Sequence, residues 1–208
     1  MQKYSIFNLV KNAFSGHQNW DLAWKDPTPK KEYDVVIIGG GGHGLATAYY
    51  LAKEHNITNV AIIEKGWIGG GNVGRNTTII RSNYMHDDNA LFSEFGMDLW
   101  RKMSQDLNYN VMFSPRGIIN LAHSDAQMNV YARRGNSMRL NGIDAVLLNR
   151  EQVKEIIPMA DFSENVRFPI FGGLMQPSAG TARHDAVAWG YARPVSYTHL
   201  TLPTILLV

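Results

Sequence analysis

The 208-residue chain is 45% hydrophobic and 18% charged, and its 20 Lys and Arg nearly balance its 18 Asp and Glu. This composition is typical of a globular protein and excludes collagen, coiled coil and long disorder. A net charge of +2 argues against a nucleic-acid or anionic-membrane partner, and the absence of cysteine excludes disulfide frameworks and thiolate metal sites. No apolar run reaches the roughly 18 residues of a membrane helix, so we expect a soluble, cytoplasmic protein.

The two ends of the chain differ from its centre. Residues 1–32 form a lead segment with two tryptophans and the proline-containing DPTPKK, and the tryptophans are expected to pack on the domain or on a partner subunit. Residues 194–208 carry no charge, and VSYTHLTLPT within them resembles a translated sequencing adapter. The alternative interpretation is a hydrophobic C-terminal strand. We therefore predict a domain at 33–193, a non-native tail at 194–208 and a natural protein that continues past Arg193.

A strand–helix–strand unit opens the predicted domain. Residues 33–38 (YDVVII) form a β-branched run typical of a strand buried on both faces. A glycine-rich turn follows, then LATAYYLAKEH with apolar residues at helical spacing, then a second buried strand at 59–64 (NVAIIE). Such a unit within about thirty residues predicts two parallel strands joined by a right-handed crossover.

Helices and irregular segments alternate in the rest of the chain. We predict a long functional loop at 66–82, an amphipathic helix at 89–103 and a hairpin at 111–122 that turns at SPRG. A helix at 124–140 is capped by Ser124, and another helix starts after Asn149 and stops at Pro158. Glycine and proline break the segment 168–180, and a last helix begins at about His184. The apolar face of the 89–103 helix is expected to comprise Leu91, Phe92, Phe95, Leu99 and Met103. Arg133 and Arg134 lie on the polar face of the helix predicted at 124–140, and their side chains are expected to be exposed to solvent.

The turn between the first strand and helix carries the G-x-G-x-x-G pattern of dinucleotide sites. Gly39 permits the tight turn, Gly41 lets a pyrophosphate approach the backbone, and Gly44 lets the helix pack on the strand. Glu64 follows Gly44 by twenty positions at the end of the second strand, where a carboxylate accepts hydrogen bonds from ribose hydroxyls. These features together predict an adenine dinucleotide site.

The residues after the second strand favour FAD over NAD. Glu64, Lys65 and Gly66 are followed by a second glycine cluster at 69–71. An NAD domain would more often continue directly into another strand–helix–strand repeat, whereas this chain enters a long loop and a helix, as flavin-dependent amine oxidases do. This argument is an analogy at the level of the fold.

The stretch from PKKEYDVVIIGGGGHG through NTTIIRSNY resembles the β-subunit family of heterotetrameric sarcosine oxidases. The likeness continues through FSPRGIINLAH, GIDAVLLNREQVKEIIP and GTARHDAVAWGYAR, and it covers nearly all of residues 20–193. The resemblance implies an α/β fold, with a Rossmann-like FAD-binding domain of the D-amino-acid-oxidase type and the start of a substrate domain. It also implies noncovalent FAD, a covalent FMN on a histidine, and an oxidation of sarcosine to glycine in which electrons pass from FAD to FMN and then to oxygen.

The same resemblance implies partners and site residues. The partners are α, γ and δ subunits, with NAD and tetrahydrofolate on the α subunit. Cofactor-binding roles carry over to four groups of residues. The phosphate turn comprises Gly39, Gly41, Gly42, His43 and Gly44, and the ribose acid and its neighbour are Glu64 and Lys65. The loop beside the flavin comprises Asn72, Arg75, Asn76, Thr77 and Thr78, and the basic residue near FMN is Arg81. The catalytic residues that complete the amine pocket are expected beyond Arg193.

His184, in A-R-H-D, matches the FMN-linked histidine of that family. Taken alone, a histidine at a helix start is more often a capping or core residue. The chemistry permits the family role, since neutral imidazole is a competent nucleophile. The other histidines show no spacing suited to a metal, so we predict no metal site. The alternative functions are a single-flavin oxidase or dehydrogenase of another secondary amine, and a non-catalytic flavin-binding subunit.

Overall fold

A computed structural model describes residues 6–16, 18 and 28–197 of the chain. Its helices and strands, in chain order, are α1 (Ile6–Phe14), β1 (Val35–Ile38), α2 (Gly42–His55), β2 (Val60–Ile63), a 3₁₀ turn (Asn72–Arg75), β3 (Ile79–Ile80), α3 (Asp87–Asp106), β4 (Ile118–Ala122), α4 (Asp125–Leu140), β5 (Val146–Asn149), α5 (Arg150–Ile156), β6 (Gly172–Gln176), β7 (Gly180–Thr181) and α6 (His184–Tyr197). The tryptophans of the lead segment, Trp20 and Trp24, lie outside the described residues.

The predicted strand–helix–strand unit is present. Strands β1 and β2 pair in parallel, with Val35 opposite Val60 and Ile38 opposite Ile63. Helix α2 connects them and buries Leu45 and Ala48 completely. These residues join β2, α3 and α6 in the largest hydrophobic cluster of the described chain. The sequence pattern therefore predicted the first layer of the fold correctly.

Strand β1 differs from its prediction as a strand buried on both faces. The side chain of Ile38 is 88% exposed and that of Val36 is exposed as well, whereas β2 is buried. Parallel sheets are normally covered on both faces. Among the described residues β1 pairs only with β2, and no element covers the face that carries Val36 and Ile38. A run of β-branched residues indicates a strand whose side chains can be buried. Whether they are buried depends on which strands and helices pack against that strand.

The loop predicted at 66–82 contains short regular elements that tie it to the end of the described chain. It includes the 3₁₀ turn and β3, and β3 pairs antiparallel with β7. The backbone N–H of Ala182 also donates to the carbonyl of Thr78 at 3.1 Å. These bonds place the loop beside the start of α6, and so bring His184 close to it.

The hairpin predicted at 111–122 is wrong. Strand β4 pairs instead with β6, which lies between β4 and β5 in an antiparallel sheet. Ser114 forms an isolated bridge with Thr181, with N–H to carbonyl distances of 2.7 and 3.1 Å. Because Ser114 and β4 are each paired with distant segments, the two arms around SPRG do not pair with each other.

Strand β6 lies in the segment 168–180 that the sequence predicted to be broken. Its glycines are required by close approach of neighbouring strands. A Cβ on Gly172 would lie 2.5 Å from the carbonyl oxygen of Leu148, and one on Gly173 would lie 3.0 Å from that of Asn120. These glycines allow tight packing in a central strand. Composition alone does not distinguish such glycines from glycines in a loop.

Helix α3 forms as predicted, but its predicted apolar face is confirmed only at Met103, which is buried, and at Leu99, which is half-buried. Ala90, Met97 and Met103 are buried, whereas Phe92 is 80% exposed and Leu91 and Phe95 are also exposed. Ala90 packs into the cluster beneath α4 and β6, and that contact fixes the rotation of the helix. The aromatic stripe of α3 consequently faces solvent within the described part of the chain.

The predicted caps are confirmed, and α6 extends into the predicted tail. The Ser124 hydroxyl accepts the N–H of Gln127 at 3.2 Å, and Asn149 forms a reciprocal capping box with Gln152. Helix α6 starts at His184 as predicted and continues through Pro194 to Tyr197. Residues 198–208 lie outside the described residues, so the non-native tail at 194–208 stays a prediction.

Candidate cofactor site

The three motif glycines each meet the steric requirement that the sequence predicted. Gly39 has φ +107°, a conformation that other residues avoid. A Cβ on Gly44 would lie 2.0 Å from the carbonyl oxygen of Gly39, so only glycine lets α2 approach the turn. A Cβ on Gly41 would meet only a methyl of Val73 at 3.9 Å. Gly41 therefore borders open space, as a residue beside a pyrophosphate must.

The start of α2 offers backbone donors to an anion. The first bond of the helix runs from the N–H of Leu45 to the carbonyl of Gly41 at 3.0 Å, and no side chain caps the helix at Gly41. The N–H groups of Gly42, His43 and Gly44 precede that bond and have no intrahelical acceptor. Together with the positive end of the helix dipole they could bind a phosphate, and this role stays a prediction.

Glu64 holds the glycine turn through two backbone hydrogen bonds. Its Oε2 accepts the N–H of Gly40 at 2.7 Å, and its Oε1 accepts the N–H of Gly66 at 2.9 Å. An ionised carboxylate has about four acceptor positions, so both oxygens retain capacity for ribose hydroxyls. The sequence predicted the ribose role and missed this structural role, which no spacing rule signals.

A cavity of about 690 Å³ lies between α2, α3, α6 and the 76–80 loop. This volume is within the usual range for small-molecule and cofactor sites. The cavity brings together several of the site residues predicted from the sequence: Gly42, His43, Asn76, Thr77, Thr78 and His184. Aromatic and apolar side chains, including Tyr50, Trp100 and Tyr191, form much of the remaining wall.

His184 lines this cavity at the first residue of α6. Its Nδ1 is shielded from solvent and has no hydrogen-bond partner among the described residues. A buried polar atom without a partner is uncommon in folded proteins and indicates a site that a ligand or water completes. Arg183 and Asp185 pair across His184, with bonds of 3.0 and 2.6 Å. The bond from Arg183 lowers the pKa of the Asp185 carboxyl, and both side chains are exposed to solvent.

The loop on the opposite side of the cavity contains a strained residue. Thr78 has φ +60°, which is unusual for a β-branched side chain. Asn76 holds this conformation, because its Oδ1 accepts the N–H of Thr78 at 2.7 Å and its Nδ2 donates to the carbonyl of Val73 at 2.6 Å. Backbone strain is concentrated at functional sites. The sequence identified Asn76 and Thr78 only through the family resemblance.

Tyr191 lies on the inner wall of the cavity and is mostly buried. Burial raises the pKa of the Tyr191 hydroxyl, and its hydrogen bond with Tyr50 raises that pKa further. The Tyr191 ring therefore remains a neutral phenol over the physiological pH range. Tyr191 also packs edge-on against Tyr49 with ring centroids 5.5 Å apart, which anchors this wall to α2.

Other predicted site residues lie away from the cavity wall. Asn72 and Arg75 are exposed on the 3₁₀ turn, and Lys65 is exposed beyond β2. The guanidinium of Arg81 lies over the ring of Tyr84, with its carbon 5.0 Å from the centroid, and donates to Asn83 Oδ1 at 2.7 Å. Roles for these residues beside a flavin stay predictions.

The expectation that Arg133 and Arg134 are both solvated is wrong for Arg134. Its Nη2 donates to the carbonyl of Asn83, and its Nε is buried without a partner in the described residues. Burial lowers the pKa of Arg134, and the nearby positive charge of Arg81 lowers it further. Arg133 is exposed as predicted. The turn of α4 that carries Arg134 faces the buried loop at Ser82 and Asn83, which lies about fifty residues earlier in the chain.

Residues 6–16, 18 and 28–197 contain no group of three or more His, Asp or Glu side chains placed to hold a metal ion. Within the same ranges no helix combines the length and the hydropathy needed to cross a bilayer.

Comparison with known proteins identifies the family. A family model described as FAD dependent oxidoreductase (DAO) matches residues 34–196. The chain is 60% identical over 191 residues to the sarcosine oxidase subunit beta of Rhizobium meliloti (strain 1021), an alignment that covers 92% of this chain and 46% of that protein. It is 53% identical over 173 residues to the sarcosine oxidase subunit beta of Arthrobacter sp, covering 83% of this chain and 43% of that protein.

A solved structure shares the fold. L-proline dehydrogenase from P. horikoshii superposes with a TM-score of 0.74 at 27% identity, over 85% of this chain and 45% of that one. The chain thus spans about half the length of the relatives that it matches. The glycine turn, the acid at the end of β2 and the family match agree, and the chain belongs to the DAO family of FAD-dependent oxidoreductases.

Proposed function

We propose that this chain is the FAD-binding part of a sarcosine-oxidising subunit that also carries a covalent FMN. The observation that carries this proposal is the cavity of about 690 Å³ that extends from the first turn of α2 to His184. A phosphate site at one side and an unsatisfied imidazole at the other are features that a two-flavin subunit requires. The identity of 60% to a sarcosine oxidase subunit beta supports the same assignment.

FAD fits the residues at the glycine turn. The open space at Gly41 admits a pyrophosphate, and the N–H groups of Gly42, His43 and Gly44 point from a helix start that has no side-chain cap. Glu64 would accept the ribose hydroxyls with the oxygens that already hold Gly40 and Gly66. These residues bind and orient the dinucleotide, and they leave its binding noncovalent.

FMN fits the cavity beside His184. The lining is largely apolar and aromatic, as a flavin ring requires, and the buried Nδ1 of His184 has no hydrogen-bond partner among the described residues. Arg183 and Asp185, on either side of His184, bond to each other at 3.0 and 2.6 Å. His184 is the anchor in this proposal, and Thr78 and Asn76 shape the facing wall.

The bound flavins would supply the redox chemistry, with FAD as the oxidant of the amine and FMN as the route of electrons to oxygen. The residues of this chain bind and orient those flavins. This proposal assigns no residue of the chain to the amine itself, because the chain covers 46% of its Rhizobium meliloti relative. That relative is named as a subunit, which supports a multi-subunit assembly, and we propose α, γ and δ subunits as its partners.

Flavin counting in the complete natural protein, assembled with its partners, tests the proposal. Acid precipitation should release FAD and leave FMN on the polypeptide in equal amount. Addition of sarcosine without oxygen should bleach the flavin absorbance, and admission of oxygen should restore it. The same measurement with glycine, the expected product, is the control and should leave the absorbance unchanged.

The alternatives give different results in the same experiment. A protein that contains FAD alone, and is bleached by another secondary amine, would be a single-flavin oxidase or dehydrogenase. A protein that retains flavin and is bleached by no amine would be a non-catalytic flavin-binding subunit. Either result would contradict the proposed function.

A further inference from the structure

Trp67 is a large side chain that the fold holds in place yet leaves 71% exposed. Its indole lies directly against the backbone of Gly70. A Cβ at that position would be only 2.7 Å from Cε2 and Nε1 of the ring. The N–H of Gly70 also donates to the carbonyl of Trp67 at 2.9 Å, closing a turn. The ring is therefore packed on one side and open to solvent on the other.

The turn that carries Trp67 is bonded to the nucleotide-binding residues. The N–H of Gly66 donates to Glu64 Oε1 at 2.9 Å, and the N–H of Gly69 donates to the carbonyl of Gly40 at 3.0 Å. Gly40 in turn donates to the other oxygen of Glu64 at 2.7 Å. Trp67 thus lies between a contact with Glu64 and a contact with the glycine turn, three residues after the carboxylate expected to hold the ribose.

An adenine ring is joined directly to the ribose of an adenine dinucleotide, so it must lie close to Glu64. Aromatic side chains stack on bases through the π-face that every base presents. We propose that the exposed face of Trp67 stacks on the adenine of the bound dinucleotide. Gly70 serves this contact by letting the indole lie flat against the backbone. This inference rests on the proposed FAD site and adds to it the residue that recognises the base.

The proposal is specific to the adenosine half of the cofactor, so ADP is the suitable probe. The complete natural protein, freed of noncovalent FAD, is titrated with ADP while tryptophan fluorescence and binding heat are recorded. Trp67→Ala should raise the Kd of ADP and of FAD about 5- to 150-fold, which corresponds to about 1–3 kcal/mol. Trp67→Phe should retain most of the affinity, because a phenyl ring still stacks. The content of covalent FMN should not change in either variant, since FMN has no adenine.

Fluorescence gives an independent readout. ADP should quench the emission of the natural protein and of the control Trp189→Phe, whose exposed indole lies on α6. It should leave the emission of Trp67→Phe nearly unchanged. Native ADP affinity in Trp67→Ala would overturn the proposal, and so would quenching that persists in Trp67→Phe. Release of a partner subunit by Trp67→Ala at native ADP affinity would show an interface in place of a stacking site.

The outcome for the proposed function can be read separately. Natural protein that binds neither ADP nor FAD would overturn both the flavin function and the stacking contact. Natural protein that binds FAD tightly, with Trp67→Ala binding it equally well, would leave the flavin function standing and reject only the role of Trp67. Thermal unfolding of both variants at the natural midpoint would exclude misfolding as the cause of a loss in affinity.

Discussion

The carboxylate of Glu64 accepts the backbone N–H of Gly40 at 2.7 Å, so the residue expected to hold the ribose also holds the phosphate turn. Its second oxygen accepts the N–H of Gly66 at 2.9 Å. The end of β2, the glycine turn and the start of the following loop are consequently joined through one side chain. A dinucleotide would meet a turn that is already in its binding conformation, which lowers the ordering cost of binding.

Replacement of Glu64 should therefore impair cofactor binding in two ways. Glu64→Ala removes the ribose acceptor and leaves the N–H groups of Gly40 and Gly66 without their partner. We expect the affinity for FAD to fall by about 1–3 kcal/mol, the usual cost of unpaired polar groups in a shielded site. The measurement is the FAD content and the FAD dissociation constant of the complete protein. Glu155→Ala, an exposed acid on α5, is the matched control and should bind FAD normally. Equal FAD affinity in the two variants would reject both roles of Glu64.

Two glycine substitutions should separate folding from cofactor binding. A Cβ on Gly44 would lie 2.0 Å from the carbonyl oxygen of Gly39, so Gly44→Ala should disrupt the packing of α2 on β1 and lower the unfolding temperature. A Cβ on Gly41 has nothing nearer than a Val73 methyl at 3.9 Å. Gly41→Val should therefore fold normally and lose FAD, because its branched side chain fills the space of the pyrophosphate. Circular dichroism melts and flavin content of both variants provide the comparison. A normal FAD content in Gly41→Val would remove the phosphate assignment.

The sequence predicted those parts of the structure that depend on local residues. The glycine turn, the helix caps at Ser124 and Asn149 and the start of α6 follow from residues that are close together in the chain. The predictions that failed depend on distant partners. Whether Phe92 is buried depends on how α3 rotates against α4, and whether SPRG closes a hairpin depends on Ser114 pairing with Thr181.

The site shows the same division. The roles of Gly41 and Gly44 follow from spacing, and the structure gives each the expected surroundings. The second role of Glu64, the strain at Thr78 and the unsatisfied nitrogen of His184 arise from backbone geometry and long-range contacts. None of these has a signal in the order of residues, because side-chain type does not record a backbone angle or the absence of a partner.

The strain at Thr78 predicts an unusual gain in stability. Thr78→Gly places a residue without a Cβ at φ +60°, where left-handed geometry costs other residues about 1–2 kcal/mol. We expect the thermal unfolding midpoint of the complete protein to rise or stay level. Thr77→Gly, next to it in the same cavity wall, is the matched control and should lower the midpoint, because glycine there adds freedom only to the unfolded chain. Equal losses in the two variants would show that Thr78 is not strained.

The last prediction concerns His184 in the complete, assembled protein. Its imidazole lines the cavity, and its Nδ1 is buried without a partner in the described residues. If His184 anchors FMN, acid precipitation should leave yellow, fluorescent flavin on the natural polypeptide, and a peptide that contains His184 should be heavier by one FMN. His184→Ala should abolish this attachment and retain FAD, since the glycine turn and Glu64 are unchanged. Reduction by the amine should persist, whereas reoxidation by oxygen should slow. His43→Ala is the matched control, because His43 lines the same cavity and should keep the covalent flavin. Flavin that acid removes completely from the natural protein would contradict the anchor and leave His184 as an ordinary residue at a helix start.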